Sequence, residues 1–538
     1  MAQTIYKRQV IGQASGVQIN MPVDRTDRML PQLGDQTLAT VGQFSRGRID
    51  KPFLVLSSKL KQKLGVAKSI RLSRSNETYI QIFDAFRTGA AAAVVMRLAS
   101  KAAVNSWVVL NHGSEDVLTT SEDLPDAGDS KWLMAMKFAD CINEGVYVSI
   151  AQGATKDWLK VVVRERYYNS KGIEKDQGDV LYEFEGSTDY GAIDEQNNSA
   201  FIGDVVEKLY PDMVEIEVSK APLVAEGDAL AKGKVGAGIV AFVDDGTLTN
   251  EDYQAAATQL GKTSIPYRYI MSEGEVIVLV SGLVETAQKY NRKMFQEVSG
   301  DLSPEAAVAW VENNFEFDAQ GGMYCDWIWT PIKRQDPTGV SGVVRLSSVG
   351  QKVGYSCARN SITNGHGMSP LNQPVAGKDF YLSGSQFQQT YHPEDEELAL
   401  LAEAKINPCI YSEYHDGSGY VWEDSLSGAK KSGISKLSSV SEMSIWFQDY
   451  LGRYSKSLLQ KPMSEALVLM EREIRAVCDR AFASNWLVES VNLGGAPYGY
   501  EVFPNDRYPD DQMDWTINLA FDGVVRVIKG SQNMFSRK

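Results

Sequence analysis

The sequence has little of what builds a disulfide scaffold, a metal centre or a membrane span. Its five cysteines (Cys141, Cys325, Cys357, Cys409 and Cys478) are odd in number, far apart and without a CxxC pair. That argues against a disulfide framework and a cysteine zinc site, and reads the thiols as small buried hydrophobes. There are four histidines (His112, His366, His392 and His415), with no HExxH and no pair at metal-ligand spacing on one helix. No segment approaches the ~20 apolar residues that span a bilayer. The longest apolar run, 90–96, is alanine-rich and is closed by Arg97. The opening MAQTIYKRQVIGQ lacks the apolar middle and small-residue cleavage site of a secretory signal. These absences predict a chain made and assembled in a reducing cytoplasm. Glycine and proline, 45 and 18 residues, are too few for a collagen-like or disordered chain. Positive charge is also short: 54 Lys+Arg stand against 69 Asp+Glu, a net −15. Such a field repels nucleic acid and anionic membranes, so neither is an expected partner.

What is present is ordinary globular material, 43% hydrophobic and 23% charged over 538 residues, enough at roughly 150 residues per domain for three or four domains. Near the start, Val17, Ile19, Met21 and Val23 alternate with polar or small residues, the period of a half-buried strand with nothing local to cover it. An α/β pattern follows. TLATVGQF and PFLVLSS read as strands, NETYIQIFDAFRTG as a helix and AAAAVVMRL as a buried strand. Residues 105–235 read instead as an antiparallel insertion, with strands WLKVVVRERYY, VLYEFEGS and MVEIEVSK and a short helix at FIGDVVEKLY. From IVAFV the strand–helix alternation resumes through YRYIM, RKMFQEV and the aromatic strand MYCDWIWTPI, which predicts a mainly parallel sheet. The last 160 or so residues form another unit, with helices over 393–404 and 464–486. The second carries Leu467, Met470, Ile474, Val477 and Ala481 on one face. WTINLAFDGVVRVIK closes the chain, with Asp522-Gly523 as a candidate hairpin turn.

The chain thus reads as a multidomain α/β and α+β protein. Residues 1–35 are an arm, 36–104 and 236–376 a central α/β domain, 105–235 an inserted β-rich domain, and 377–538 a C-terminal α+β domain ending in a second arm. Motifs for chemistry are weak. Gly261-Lys262-Thr263 imitates the end of a phosphate loop, but Ala256 replaces the required glycine and a helix precedes rather than follows. Gly236-Ala237-Gly238 leads into a strand, not a helix. Gly339 to Gly342 lacks the fifth position of a nucleophile elbow. Asp244-Asp245 and Asp510-Asp511 read as solvated turns. No catalytic residue, cofactor or metal is expected, and a chain this long without a catalytic constellation points to assembly. A nucleotide-binding enzyme using Lys262, or an adhesin using the insertion, are the alternatives.

Several blocks, in order, resemble the contractile tail sheath proteins of bacteriophages and related injection machines. Gly42, Gly47, Pro52, Val55, Ser57 and Gly65 match the family's opening strand, glycine turn and helix. YEFEGSTDYGAIDEQNNSAFIGDVVEKL is similar to the segment after the insertion's hairpin. Trp327, Ile328, Pro331, Asp336, Gly350, Gly354, Ala358 and Arg359 match its aromatic strand and following helix. Ile406, Asn407, Gly419, Val421 and Trp422 match a later strand pair. The chain is a divergent member on this reading: Leu346-Ser347-Ser348 stands where the family has a proline pair, and Ser15-Gly16-Val17-Gln18 where it has PGVY.

The resemblance implies a structural subunit in stacked hexameric rings around a tail tube, driving the tube through a host envelope. Its partners would be copies of itself, the tube protein, and baseplate and tail terminator proteins. Its location would be the virion, after assembly in the host cytoplasm. Strands at both ends, Val17, Ile19, Met21 and Val23 with Ile517, Leu519, Phe521, Val525 and Val527, would link subunits by completing one another's sheets. By the same resemblance a C-terminal helix faces the tube. The 464–486 helix is the candidate, with Arg472, Arg475 and Arg480 meeting acidic tube residues.

Overall fold

The computed structural model describes residues 33–112, 117–126, 131–153, 158–169, 172–194, 196–219, 234–315, 321–429 and 433–529. Val17, Ile19, Met21 and Val23 lie outside them.

Short β-branched and alanine-rich runs form the strands of a large central sheet. The chain enters through β1 (Thr37–Gly42), β2 (Phe53–Leu56), helix α1 (Glu77–Thr88) and β3 (Ala92–Arg97). It then leaves for the insertion. There it forms β4 (Trp107–Asn111), β5 (Leu118–Ser121), β6 (Trp132–Phe138), β7 (Val146–Gln152), β8 (Trp158–Glu165), β9 (Val180–Ser187), α2 (Ile202–Leu209), β10 (Val214–Val218) and β11 (Val235–Ile239). On return come α3 (Asn250–Gly261), β12 (Tyr269–Ser272), α4 (Ile277–Lys289), β13 (Lys293–Val298), α5 (Pro304–Asn314), β14 (Cys325–Trp329) and α6 (Val349–Asn360). The last part holds α7 (Asp395–Glu403), β15 (Ile406–Tyr414), β16 (Gly417–Trp422), the long helices α8 (Ser438–Leu458) and α9 (Met463–Ala483), and strands β17 (Tyr498–Pro504) and β18 (Met513–Leu519).

The central sheet runs β2-β3-β1-β12-β13-β14-β15-β16. Its interior pairs are parallel, and the edge strands β2 and β16 are antiparallel to their neighbours. Both faces are covered, as continuous apolar strands require. On one face Ala39, Val94 and Met294 pack beneath α3, α4 and α5. On the other, Leu38, Val95, Tyr269 and Phe295 pack beneath α1 and α6. The helices start where the sequence places caps. Thr249 and Asp252 form a capping box on α3, and the Ser303 side chain caps α5 ahead of Pro304.

The insertion makes two antiparallel four-stranded sheets, β9-β8-β7-β11 and β10-β6-β4-β5. They share an apolar core that includes Val108, Met134, Ile150, Val161 and Ile202. Three expectations change. Residues 235–239 close an insertion sheet against β7 rather than resume the central alternation, because Gly236 and Gly238 leave room for Tyr147 and Glu174 over the strand. The neck is the pairing of Asn105 with Phe242 and Val104 with Val243. The central sheet also reaches further along the chain than residue 376, taking in β15 and β16. Finally, Asp522-Gly523 turns no hairpin. β18 pairs instead with β17, across residues 505–512, where the Asn505 carboxamide oxygen accepts from the N–H groups of Arg507 and Tyr508 at 3.0 Å each.

Candidate assembly surface

The residues that carry the sequence resemblance occupy tight junctions of the fold. Gly350 and Gly354 let α6 lie directly on α1: a Cβ at Gly354 would stand 1.9 Å from the Thr88 hydroxyl and 2.5 Å from the Ala85 carbonyl. Gly89, at φ +131°, ends α1 against Ala358. Asn407 donates to the carbonyls of Trp327 at 2.9 Å and Leu426 at 2.8 Å, and accepts from Leu426 N–H at 2.6 Å. Asp336 accepts from the N–H groups of Thr338 and Ser341, both at 2.8 Å. Trp422 donates its indole N–H to Ser348 at 2.9 Å, so one serine of the Leu346-Ser347-Ser348 departure has a packing role of its own.

These junctions fix α8 to the sheet. Arg359 of α6 meets Glu442 of α8 at 2.6 Å, both nearly buried. Lys293 meets Asp326 at 2.6 Å, fully buried, and also donates to the Ser441 hydroxyl at 2.6 Å. α8, in turn, packs with α9. Met443, Phe447 and Leu451 share a core with Met470, Ile474, Val477 and Ala481, four of the five residues read from the sequence as one face; the fifth, Leu467, is only half-buried and Ala466 takes its place in the core.

Against this helix pair lies the ribbon β17–β18. Among the described residues its two strands pair only with each other, leaving both outer edges without a strand partner. One face is apolar and half-buried: Met513, Trp515, Ile517 and Leu519 pack towards the helices with Tyr498, Tyr500 and Val502. Beside Leu519 and Phe521 a groove of about 430 Å³ runs between β18 and α8, lined by Phe447 and Leu451. Phe521 bridges to Leu487 and sets its ring 6.2 Å from that of Phe447. Past it the chain forms no strand up to residue 529. Val525, Val527 and Ile528 are 78%, 71% and 87% exposed there, held near the body by Arg526, whose Nε donates to Asp424 at 2.7 Å.

The three arginines of α9 differ in what they hold. Arg475 donates to the Tyr500 hydroxyl at 2.8 Å and pairs with Glu471 at 3.2 Å, which locks it to the ribbon. Arg480 donates to the Tyr450 hydroxyl at 3.1 Å and lies over that ring. Arg472 is exposed, and no side-chain hydrogen bond or ion pair occupies it among the described residues. The Arg475–Glu471 pair follows from i,i+4 spacing on α9, whereas the bonds to Tyr500 and Tyr450 run across elements, so spacing along one helix gave no signal of them.

The chemical decoys are spread through the fold. Gly261 ends α3, with Lys262 as its C-cap. Gly236 and Gly238 lie within β11. The sheet's strand order reverses between β1 and β12, where doubly wound folds hold phosphates. Here that crevice, about 230 Å³, presents Glu77, Glu273 and Glu275, and burial pushes the Glu273 carboxyl up to about 7. Arg74, also there, pairs with Glu77 at 2.8 Å. Such a crevice repels a nucleotide's phosphates. Among the described residues no group of three or more His, Cys, Asp or Glu side chains is placed to hold a metal, and no helix is long and apolar enough to cross a membrane. All five cysteines are buried and unpaired, and burial raises the thiols of Cys141, Cys409 and Cys478 to about 12.

No family model and no curated protein matches the chain. Solved structures similar to it include the six-fold symmetrised baseplate of the anti-feeding prophage, at TM-score 0.40 and 11% identity, covering 55% of this chain and 76% of that one. The sheath complex of the extracellular contractile injection system PVC, in its contracted state, matches at TM-score 0.40 and 12% identity, over 53% and 80% of the two chains. The anti-feeding prophage baseplate in its contracted state matches at 0.40 and 11%, over 53% and 75%.

Proposed function

We propose that the chain is a structural subunit of a contractile tail sheath and that its copies join by strand exchange. The observation that carries this reading is the β17–β18 ribbon, whose two edges have no strand partner among the described residues, followed by a segment that exposes Val525, Val527 and Ile528. A two-stranded ribbon is marginal by itself, and an open edge is a template for another chain's strand. On this reading the arm, whose alternation of Val17, Ile19, Met21 and Val23 has the period of a strand, supplies the strand that a neighbour's edge takes up. Head-to-tail pairing of this kind, when it does not close, extends into a helical polymer.

On this reading the polymer consists of hexameric rings stacked around a tube, and contraction drives the tube through a host envelope. Arg472 is the α9 arginine available to an acidic tube surface. Baseplate and tail terminator proteins cap the two ends, and the assembled form belongs to a virion. The work of the stroke comes from repacking between bistable interfaces rather than from a nucleotide. Negative-stain microscopy of the purified protein tests the reading. Full-length chains form long tubular polymers, and chains lacking residues 1–25 remain monomers with an intact core. Polymers that form unchanged without the arm contradict the exchange.

A further inference from the structure

At the N-terminal ends of the parallel strands, a polar cavity of about 350 Å³ opens between the sheet, the end of α6 and α8. Arg268 enters it from just before β12, Arg292 from just before β13 and Arg453 from α8, while Asp35 and Asp449 supply its carboxylates. Three guanidiniums thus face two carboxylates, and the pairing is uneven. Asp449 serves two of them, standing 3.1 Å from Arg292 and also binding Arg453. Asp35 makes no ion pair within the described residues. Arg268 is 2% exposed and, among the described residues, has no carboxylate partner. Its Nη2 donates to the Glu442 carbonyl at 3.1 Å, and its Nε and Nη1 have no hydrogen-bond partner among those residues. A guanidinium carries five donors and cannot shed its charge, so burial with a single bond made is costly unless an anion completes it.

We propose that this cavity is an oxyanion socket, taking a carboxylate or phosphate group on Arg268, Arg292 and Arg453. The planar fork of arginine suits both groups, which accept two parallel hydrogen bonds. The Thr363 hydroxyl, which also lines the cavity, can donate to a remaining oxygen, whereas those of Ser361 and Ser369 already donate to the Ala358 and Asn360 carbonyls at 2.6 and 2.9 Å. The oxyanion comes either from solution or from an acidic side chain of a second copy, and the chemistry of the socket is the same for both.

Calorimetric titration of the full chain with sodium phosphate at constant ionic strength tests this, alongside Arg268→Gln and Arg453→Gln. The expected result is saturable binding by the unsubstituted chain, weakened at least tenfold by Arg268→Gln and severalfold by Arg453→Gln. The Arg453 side chain is 65% exposed, so the second variant keeps the test valid if the first does not fold. Sedimentation in the same buffers separates the sources. A free oxyanion leaves the assembly state unchanged, whereas a second copy's carboxylate is displaced by phosphate and larger species shrink. Absence of saturable phosphate binding, with assembly indifferent to Arg268→Gln, overturns the socket. The calorimetric arm needs no polymer and stands whether or not the chain assembles.

Discussion

At the scale of single residues, the molecule is held by contacts that tolerate little change. Gly354→Val sets a Cβ against the Thr88 hydroxyl and the Ala85 carbonyl, and should cost about 1–3 kcal/mol or more as overpacking between helices. Chemical denaturation would register it as a lower midpoint at unchanged slope. Glu442→Gln leaves Arg359 buried beside a neutral amide, and removal of one partner from a buried pair costs ~3–5 kcal/mol. The same denaturation series reads that loss. Glu297 provides a pH signature. Burial pushes its carboxyl from 4.5 up to about 8, although Arg345 lies 3.8 Å away and Ser347 and Thr330 donate to it at 2.8 and 3.1 Å. The folded chain therefore keeps a proton that an unfolded glutamate releases near 4.5. Folding takes up that proton between the two values, so stability falls as pH rises from about 4.5 to 8, with a slope of up to ~1.4 kcal/mol per pH unit. Glu297→Gln should flatten this part of the stability–pH curve, and an unchanged slope would show that the group does not titrate there.

At the scale of elements, the decisive feature is the contrast between the closed central sheet and the open C-terminal ribbon. Ending the chain after Asp522 removes Val525, Val527 and Ile528, all exposed, and the pair Arg526–Asp424, a contact of at most ~1 kcal/mol at such a site. The melting temperature should stay within a few degrees while sedimentation shows loss of assembly. Equal loss of both would make the tail part of the fold rather than of an interface. This contrast was only partly legible in the sequence. The strand–helix alternation from β1 to β14 was readable because a doubly covered sheet demands continuous apolar strands and amphipathic helices. The lower face of α9 was readable from its 3–4 spacing. The partner of β18 was not, because β17 (YGYEVFP) mixes glycine, charge and proline and has little strand period, whereas the Asp522-Gly523 turn signal was strong and local. The extent of the central sheet was hidden for a related reason. β15 joins β14 across 76 intervening residues, and nothing in the sequence of INPCIYSEY says which sheet it enters. The socket arginines went unread because they come from three separate elements.

At the scale of the whole molecule, the insertion and the central domain touch through side chains as well as the neck. Arg46 pairs with Glu165 at 2.9 Å and Arg48 with Asp212 at 2.9 Å, while Arg97 donates to Asn143 at 2.5 Å. The neck strands return side by side at Asn105 and Phe242, so joining them through a short Gly-Ser linker removes the insertion without straining the central sheet. The shortened chain should fold, as near-ultraviolet circular dichroism would show by a retained signal from the seven tryptophans outside the insertion. It should also still assemble, since the ribbon, the arm and α9 all lie outside the insertion. The central claim is that copies of this chain are woven together by their terminal segments, including the exposed one that follows the ribbon. Electron microscopy of the full-length chain beside the chain ending at Asp522 tests it most directly. Long tubular polymers from the first and dispersed single particles from the second are the predicted result; single particles from both, or tubes from both, would contradict it.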